Sequence, residues 1–217
     1  MGKRVVNRDN WRRKKKFEFF IKMLNPIFSV TAQVNLDNCY RVAKSRGRSL
    51  FIYYSYAIIK AMNEIEEFRL RVNRVNGELE LCIFDDVDLV APITVAEEGE
   101  FVEVRIGYNV NFEEFYKTAE QVISAASIDM NPITEDLPEA TYAVVSALPF
   151  LDFTAVTPTL MDRGGVGQVP LISVGKMSEV NGHRSMPIAI AVHHGFVDGY
   201  HVGLFFEQVQ RTLDSYE

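Results

Sequence analysis

The chain has 217 residues, which suits one large domain, because a single hydrophobic core stops growing at roughly 250–300 residues. Its hydrophobic share of 47% and charged share of 24% exclude a disordered, collagen-like or coiled-coil protein. The formal net charge of -6 argues against nucleic acid as a partner, since a general binder must neutralise many phosphates. We therefore expect a single domain over residues 1–217 that buries its own core.

The cysteines and the N-terminus indicate the cellular compartment. Cys39 and Cys82 lie far apart in a chain long enough to need no disulfide, so we expect reduced thiols in the core. The N-terminus lacks the apolar region of a secretory signal, and no uncharged apolar run reaches the ~18 residues that a membrane-spanning helix needs. These features predict a soluble, cytoplasmic protein with no membrane partner.

In chain order, the first predicted element is a helix that begins near Asp9 and Asn10, which can cap its free amides, and ends at Pro26. Its basic run at 12–16 is interpreted as a solvated face, with a phosphate-binding patch as the alternative. Hydrophobic spacing then predicts a strand over 28–34, a helix from Asn35 or Asp37 to 46–47, and a long apolar helix over 50–65.

A hairpin is predicted next, because Asn76-Gly77 favours the positive φ angles of a type I′ turn between strands over 69–75 and 78–84. The remaining elements are strands over 89–95 and 101–108, a helix over 112–126 capped by Asn111, a surface connection over 128–140, strands over 141–147, 153–156 and 171–177, an Asn-Gly turn at 181–182, a strand over 187–192 and a helix over 201–214. This order predicts an α+β single-domain, two-layer sandwich with a mixed, mostly antiparallel sheet packed against helices.

Three of the four histidines lie within nine residues, where the last predicted strand ends. Histidine titrates near neutral pH, so such a cluster suits general acid–base chemistry. His193 continues the strand and is interpreted as a packed core residue. A zinc site with His194 is disfavoured, because adjacent residues of a strand point to opposite faces. The glycines at 164–167 are interpreted as a flexible loop rather than a phosphate cradle.

The stretch HHGFVDG at 193–199 resembles the HHxxxDG signature of chloramphenicol acetyltransferases, within the superfamily of CoA-dependent acyltransferases. Three other segments resemble that family: the segment at 10–20 its NW-x-RR-x-x-FEFY opening, EFR at 67–69 its E-x-R strand, and SALP at 146–149 its S-A-L/N-P-W segment. The resemblance covers essentially the whole chain. Dihydrolipoyl acyltransferases share a related H-x-x-x-D-G, but they also need lipoyl and binding domains.

The resemblance implies acetyl transfer from acetyl-CoA to a hydroxyl of chloramphenicol, without an acyl-enzyme. His194 matches the family's general base, and Ser146 matches the hydroxyl that stabilises the oxyanion. Asp198 is implied to form an ion pair with Arg13, although a triad role is the alternative that its position suggests. Acetyl-CoA is then a co-substrate, with no permanently bound cofactor and no metal. The family also implies a homotrimer with each active site at a subunit interface.

The resemblance also implies an acceptor pocket, in which this sequence departs from the family. The family's tyrosine in FEFY is Phe20 here, its tryptophan after SALP is Phe150, and the tyrosine after the cofactor-side lysine, Lys176, is Met177. The residues implied to contact the acceptor are Phe19, Phe20, Leu24, Phe101 and Ser173. An acyltransferase for a different hydroxylated acceptor is therefore an alternative, whereas a non-enzymatic relative would be expected to lack His194 or Ser146.

Overall fold

In the computed structural model, residues 2–96, 99–127, 140–159 and 169–217 are described, and they form two β-sheets and five α-helices. The strands are β1 (Lys3–Val5), β2 (Ile27–Asn35), β3 (Leu70–Val75), β4 (Glu78–Phe84), β5 (Asp88–Thr94), β6 (Phe101–Ile106), β7 (Tyr142–Ala147), β8 (Leu171–Val174), β9 (Ser178–Val180) and β10 (His183–His193). The helices are α1 (Lys14–Phe20), α2 (Asp37–Ser45), α3 (Leu50–Glu64), α4 (Phe112–Ser124) and α5 (Gly199–Ser215). The expected α+β class is confirmed.

The larger sheet has the order β2-β10-β8-β7-β5-β6, with β9 paired to the start of β10. The pairs β5–β7 and β7–β8 are parallel and the others are antiparallel, so the sheet is mixed, as predicted. One face packs against the helices and forms the core. The strand β10, which leads into the histidine cluster, pairs with β2 from Ser185 to His193.

Local sequence accounts for much of this architecture. The helix α3 is buried almost all round, which explains its long apolar run. Asn111 caps α4 by accepting hydrogen bonds from the Glu113 and Glu114 amides. Both Asn-Gly turns form as predicted, with positive φ at Asn76-Gly77 and Asn181-Gly182.

The smaller sheet, of order β1-β4-β3, is joined to the larger one by a buried arginine. Arg71 donates to the carbonyl oxygens of Phe68 and Leu70 beside it and to those of Ala140 and Tyr142 at the start of β7. Burial lowers the pKa of Arg71 to about 10, which still leaves the guanidinium charged at neutral pH. These bonds hold β7 next to the small sheet.

Several predicted elements differ from the structure. The first helix is divided, because Trp11 adopts an extended backbone between a 3₁₀ turn over Arg8–Asn10 and α1. No strand forms over 153–156, where the chain has no partner strand among the described residues. The strand β10 begins four residues earlier than predicted, because the Asn-Gly turn pairs it with β9. The short strand β1 was not predicted.

Other expectations concern the thiols, the loops and the membrane. Cys39 and Cys82 are both buried and are not joined in a disulfide, as expected. Of the surface connection predicted over 128–140, residues 128–139 lie outside the described residues, as does the predicted glycine loop over 164–167. Within the described ranges, the helices are too short or too polar for any of them to cross a bilayer.

Candidate active site

The histidine cluster follows the C-terminal end of β10 in a tight turn. The His193 carbonyl accepts hydrogen bonds from the amides of Phe196 and Val197, at 3.0 and 3.1 Å. The His194 amide donates to the Pro26 carbonyl at 2.8 Å, which fixes this turn to the segment between α1 and β2. The backbone at His194 is therefore held from two directions.

Two aromatic rings hold the imidazole of His194. The Phe20 ring stacks on it with centroids 4.0 Å apart and planes 9° apart, and the Phe28 ring lies against it at 4.4 Å. The residue is half-buried. Its Nδ1 atom is buried and has no hydrogen-bond partner within the part of the chain that is described. The Nε2 atom is therefore the ring nitrogen that can meet a substrate hydroxyl and take its proton.

His193 has a different environment. It is 3% exposed, and its ring lies 4.6 Å from that of Phe196 and 6.2 Å from that of Phe17. Its Nδ1 accepts a hydrogen bond from the Gly195 amide, so the proton of the neutral ring is on Nε2. Burial, with the nearby charge of His194, lowers the pKa of His193 to about 4. The interpretation of His193 as a packed core residue is confirmed.

Asp198 lies at the end of the loop and is engaged by groups other than the His194 ring. Its Oδ2 accepts from Arg13 at 2.8 Å and from Lys16 at 3.1 Å, and its Oδ1 lies 2.8 Å from His201 Nδ1. Burial acts to raise the pKa of Asp198, but the hydrogen bonds from Arg13 and Lys16 outweigh it and hold this pKa well below its usual range. The geometry favours the ion pair over a triad.

Arg13, the N-cap residue of α1, also contacts the backbone of residues 193–198, the candidate catalytic loop. It is 5% exposed, with Nη2 3.5 Å from the carbonyl oxygen of His194 and Nε 3.5 Å from that of Gly195. One side chain of the first helical segment therefore contacts both the carboxylate and the backbone of the loop. This arrangement fits a positioning role for the pair.

Ser146 and Ser173 lie side by side on the parallel strands β7 and β8. Val145 and Ile172, which precede them, belong to the core, so by alternation the two serines lie on the opposite face of the sheet. Their side chains therefore lie on the face of the sheet opposite the core, where Ser146 is half-buried and Ser173 is buried.

The sheet register sets the distance between Ser146 and the histidines. Ser173 pairs with Ala189 on β10, four residues before His193. With about 3.3 Å per residue and about 4.8 Å per strand, the Cα atoms of Ser146 and His193 are about 16 Å apart. Within one chain, Ser146 and His194 do not converge on one reacting atom.

The other expected substrate residues also fall into separate groups. Phe19 packs edge-on against Phe20 and is 61% exposed, and Leu24 beyond α1 is fully exposed. Phe101 begins the edge strand β6 and is 62% exposed. Lys176 follows β8 and is exposed. The structure thus places Phe19 and Phe20 near His194, and Phe101 on a strand at the far edge of the sheet.

Three contacts at the site were not predicted from the sequence. Phe28 completes the aromatic contact with His194, Lys16 shares Asp198, and His201 bridges Asp198 and Glu67. His201 was already visible as the third histidine of the cluster, but its partner Glu67 is far away in sequence. Such a contact becomes visible only when the fold is known.

Two further observations concern possible metal ligands and the position of a cavity. Over the described ranges, the His, Cys, Asp and Glu side chains nowhere gather in a group of three that could hold a metal ion. A cavity of about 490 Å³ lies among the helices and is lined by Tyr53, Phe112 and Tyr216, with no residue of the catalytic loop.

Comparisons with known proteins agree on one family. Residues 1–210 match the family model described as chloramphenicol acetyltransferase. A Proteus mirabilis protein named chloramphenicol acetyltransferase is 27% identical over 99% of this chain and 96% of its own length. A solved structure titled chloramphenicol acetyltransferase is 35% identical, with a TM-score of 0.90, and covers 98% of this chain and 100% of that chain. A probable dihydrolipoamide acetyltransferase from Listeria monocytogenes has a TM-score of 0.60 at 10% identity, over 94% of this chain and 92% of its own, which shows the fold alone.

Proposed function

Because the chain belongs to the chloramphenicol acetyltransferase family, we propose that it transfers the acetyl group of acetyl-CoA to a hydroxyl of chloramphenicol. The observation that carries this proposal is the His194 imidazole, held between Phe20 and Phe28 with Nε2 available. A neutral alcohol is a poor nucleophile, so a base of this kind is what the reaction needs.

The proposed reaction needs no acyl-enzyme. Nε2 of His194 takes the hydroxyl proton as the oxygen attacks the thioester carbonyl. The tetrahedral intermediate collapses by breaking the carbon–sulfur bond, and the departing CoA thiolate receives the proton from His194. The products are the acetyl ester and CoA. The Ser146 hydroxyl stabilises the oxyanion of the intermediate, a contribution on the order of 10²–10³ in rate for one such donor.

We also propose that the working unit is a homotrimer. Ser146 and His193 are about 16 Å apart in one chain, but an oxyanion donor and a base must act on one reacting centre. A neighbouring copy that presents its sheet face to the His194 side supplies the missing partner. The exposed rings of Phe19 and Phe101 fit burial by such a contact and by the acceptor.

The remaining roles follow the family pattern. Lys176 is exposed, which leaves its ammonium free to bind a phosphate of acetyl-CoA, the co-substrate, and Ser173 adds a hydroxyl beside Ser146. Cys39 and Cys82 are not joined in a disulfide, and burial raises the pKa of Cys39 to about 12, which keeps it a thiol. This state supports a reducing compartment such as the cytoplasm.

The identity of the acceptor is the part of the proposal for which there is a second candidate. Phe20, Phe150 and Met177 replace residues that the family uses, so a related transfer to a different hydroxylated acceptor is the second candidate. A lost neutral hydrogen bond is worth about 0.5–1.5 kcal/mol, roughly two- to tenfold in affinity. The change at Phe20 therefore weakens chloramphenicol binding without excluding it.

A thiol-release assay tests the function. Purified protein with acetyl-CoA is expected to release CoA thiol in a chloramphenicol-dependent manner with an elevated KM, and Phe20→Tyr is expected to lower that KM two- to tenfold. His194→Ala, the control, is expected to lose about 10²–10⁴ in kcat with its fold unchanged. Turnover of another alcohol with none of chloramphenicol would favour the second candidate. Full activity of His194→Ala would overturn the mechanism.

A further inference from the structure

The third histidine of the cluster, His201, has a carboxylate at each ring nitrogen. Nδ1 lies 2.8 Å from Asp198 Oδ1, and Nε2 lies 3.3 Å from Glu67 Oε1. The imidazole side chain is only 7% exposed, and the carboxylates are 21% and 12% exposed. Water therefore screens these contacts far less than it would at the surface.

The bridge closes a ring of charged side chains. Glu67 also accepts from Arg12, and Asp198 accepts from Arg13. Since Arg12 and Arg13 are adjacent in sequence, the connected path runs from the turn before α1 to the 3₁₀ turn over Glu66–Arg69, through His201 on α5, and back to the turn before α1. Lys16 is the one further charged residue in contact with the two carboxylates in the described part of the chain.

This ring includes Asp198, at the C-terminal end of the catalytic loop. Asp198 is the N-cap of α5, and His201 lies at its third position, where a protonated Nδ1 donates to Asp198 Oδ1 at 2.8 Å and so does not also accept from the Asp198 amide 3.2 Å away. Arg13, held by Asp198, lies 3.5 Å from the His194 carbonyl. Removing His201 therefore leaves the Asp198 carboxylate held, among the described residues, by Arg13 and Lys16 alone and loosens the C-terminal end of the loop, whose other end carries the base.

We propose that His201 is a positioning residue for acetyl transfer, which bridges Asp198 and Glu67 and thereby fixes the loop that orients His194. The proposal rests on the assignment of His194 as the base. A neutral imidazole has one N–H and can donate to only one of the two carboxylates, whereas an imidazolium donates to both. The bridge acts on the orientation of His194 and not on substrate binding, so its loss lowers kcat more than it raises KM.

The test compares His201→Leu with His201→Gln. Leu removes both contacts, whereas the Gln side-chain amide at this position can still donate to the Asp198 carboxylate but is too short to reach Glu67 as the ring does. His201→Leu is expected to lose about 10- to 100-fold in kcat with both KM values within about twofold, and His201→Gln to fall between Leu and the unmodified protein. Unchanged kcat in His201→Leu, or a His201→Gln variant as active as the unmodified protein, would overturn the bridge.

A matched control and a variant at the other end of the bridge distinguish loss of the bridge from misfolding of the protein. His183→Leu removes an exposed histidine that contacts Asp37 at 3.0 Å on the surface, and it is expected to leave kcat unchanged. Glu67→Gln keeps His201 but weakens the bridge from the opposite side. The losses in kcat caused by Glu67→Gln and by His201→Gln are expected to be non-additive in the double variant. Additive losses in kcat would count against a shared bridge.

An NMR measurement separates the proposal from the proposed function. The chain has four histidines, so ¹⁵N-histidine labelling gives four imidazoles, and His194→Ala identifies the signal of His194. We expect His201→Leu to shift the His194 signal and His183→Leu to leave it in place. A shift in a protein that acetylates no tested acceptor would support the positioning role and reject the function. An unshifted signal in an active protein would reject the positioning role alone.

Discussion

His193 and His194 are adjacent in sequence, yet one is enclosed by Phe17 and Phe196 and the other is half-buried between Phe20 and Phe28. Enclosure removes the water that would stabilise a charged ring, so His193 stays neutral. The half-buried ring of His194 keeps Nε2 within reach of a substrate. The positions of the surrounding aromatic rings therefore determine which of the two histidines can exchange a proton with a substrate.

The environment of His193 gives a pH dependence of stability. Its folded pKa of about 4 lies below the ordinary value, so between about pH 6.5 and pH 4 the unfolded chain binds a proton that the folded chain does not. Stability therefore falls as the pH falls, by about 1.4 kcal/mol per pH unit from this group. His193→Asn keeps an acceptor for the Gly195 amide but does not titrate.

Urea unfolding of the two proteins between pH 7 and pH 4.5 measures this difference. The unmodified protein is expected to lose stability more steeply than His193→Asn across this range, although the variant is less stable at pH 7 because it lacks the packed ring. Parallel pH profiles would show that His193 is not the group responsible.

At the scale of elements, the Asp198–Arg13 pair connects α1 to the start of α5. Arg13 is almost fully buried, so Asp198→Asn leaves its charge without a full counter-ion, at a cost of about 3 kcal/mol, the low end for a buried pair because Asp198 is partly exposed. Arg13→Val is expected to give a similar loss of stability and a partial loss of activity. The double variant is expected to lose less than the sum of the two.

Chemical unfolding and kcat measurements on the three variants test this coupling. The depressed pKa of Asp198 adds a pH signature: the pair stabilises the fold above the ordinary carboxyl pKa of about 3.9 and is lost as the pH falls below it. If Asp198→Asn were as inactive as His194→Ala while Arg13→Val were fully active, a triad would explain the site better.

The elements differ in how far sequence alone predicts them. The hairpin at Asn76-Gly77 and the bounds of β4 follow from local turn chemistry, and both are confirmed. The strand predicted over 153–156 is wrong, because strand formation depends on a partner strand that the local sequence does not specify. The strand β1 was missed for the same reason, since three exposed residues are ordered only by pairing with β4.

The candidate site likewise contains residues that the sequence alone identifies and contacts that become visible only in the fold. The signature at 193–199 identifies His194 without any knowledge of the fold, and the proximity of Arg13 to Asp198 follows from the resemblance. The separation of Ser146 from the histidines depends on the register of β7, β8 and β10, which is a property of tertiary pairing. The contact of Glu67 with His201 depends on two elements that meet only in the folded chain.

At the scale of the whole molecule, the two halves of the proposed chemistry lie at different ends of the sheet. The His194 side carries Phe19 and Phe20, and the Ser146 side carries Ser173. A cyclic trimer brings unlike surfaces of neighbouring copies together, so three equivalent interfaces each combine one His194 with one Ser146. Sedimentation of the purified protein is expected to give a trimer, and an active monomer at assay concentrations would contradict a shared site.

Hybrid trimers test directly whether the two residues act across an interface. His194→Ala and Ser146→Ala are each expected to be severely impaired alone, the latter by about 10²–10³. After the two variants are unfolded, mixed in equal amounts and refolded together, an interface is complete wherever a Ser146→Ala chain supplies His194 to a His194→Ala chain. Random assembly restores about a quarter of the sites, so the mixture is expected to recover about a quarter of the unmodified activity. A mixture combined without unfolding is the control and is expected to stay inactive. Recovery no greater than the average of the two variants after refolding would place both residues in a single chain's site, which the sheet register of β7, β8 and β10 opposes.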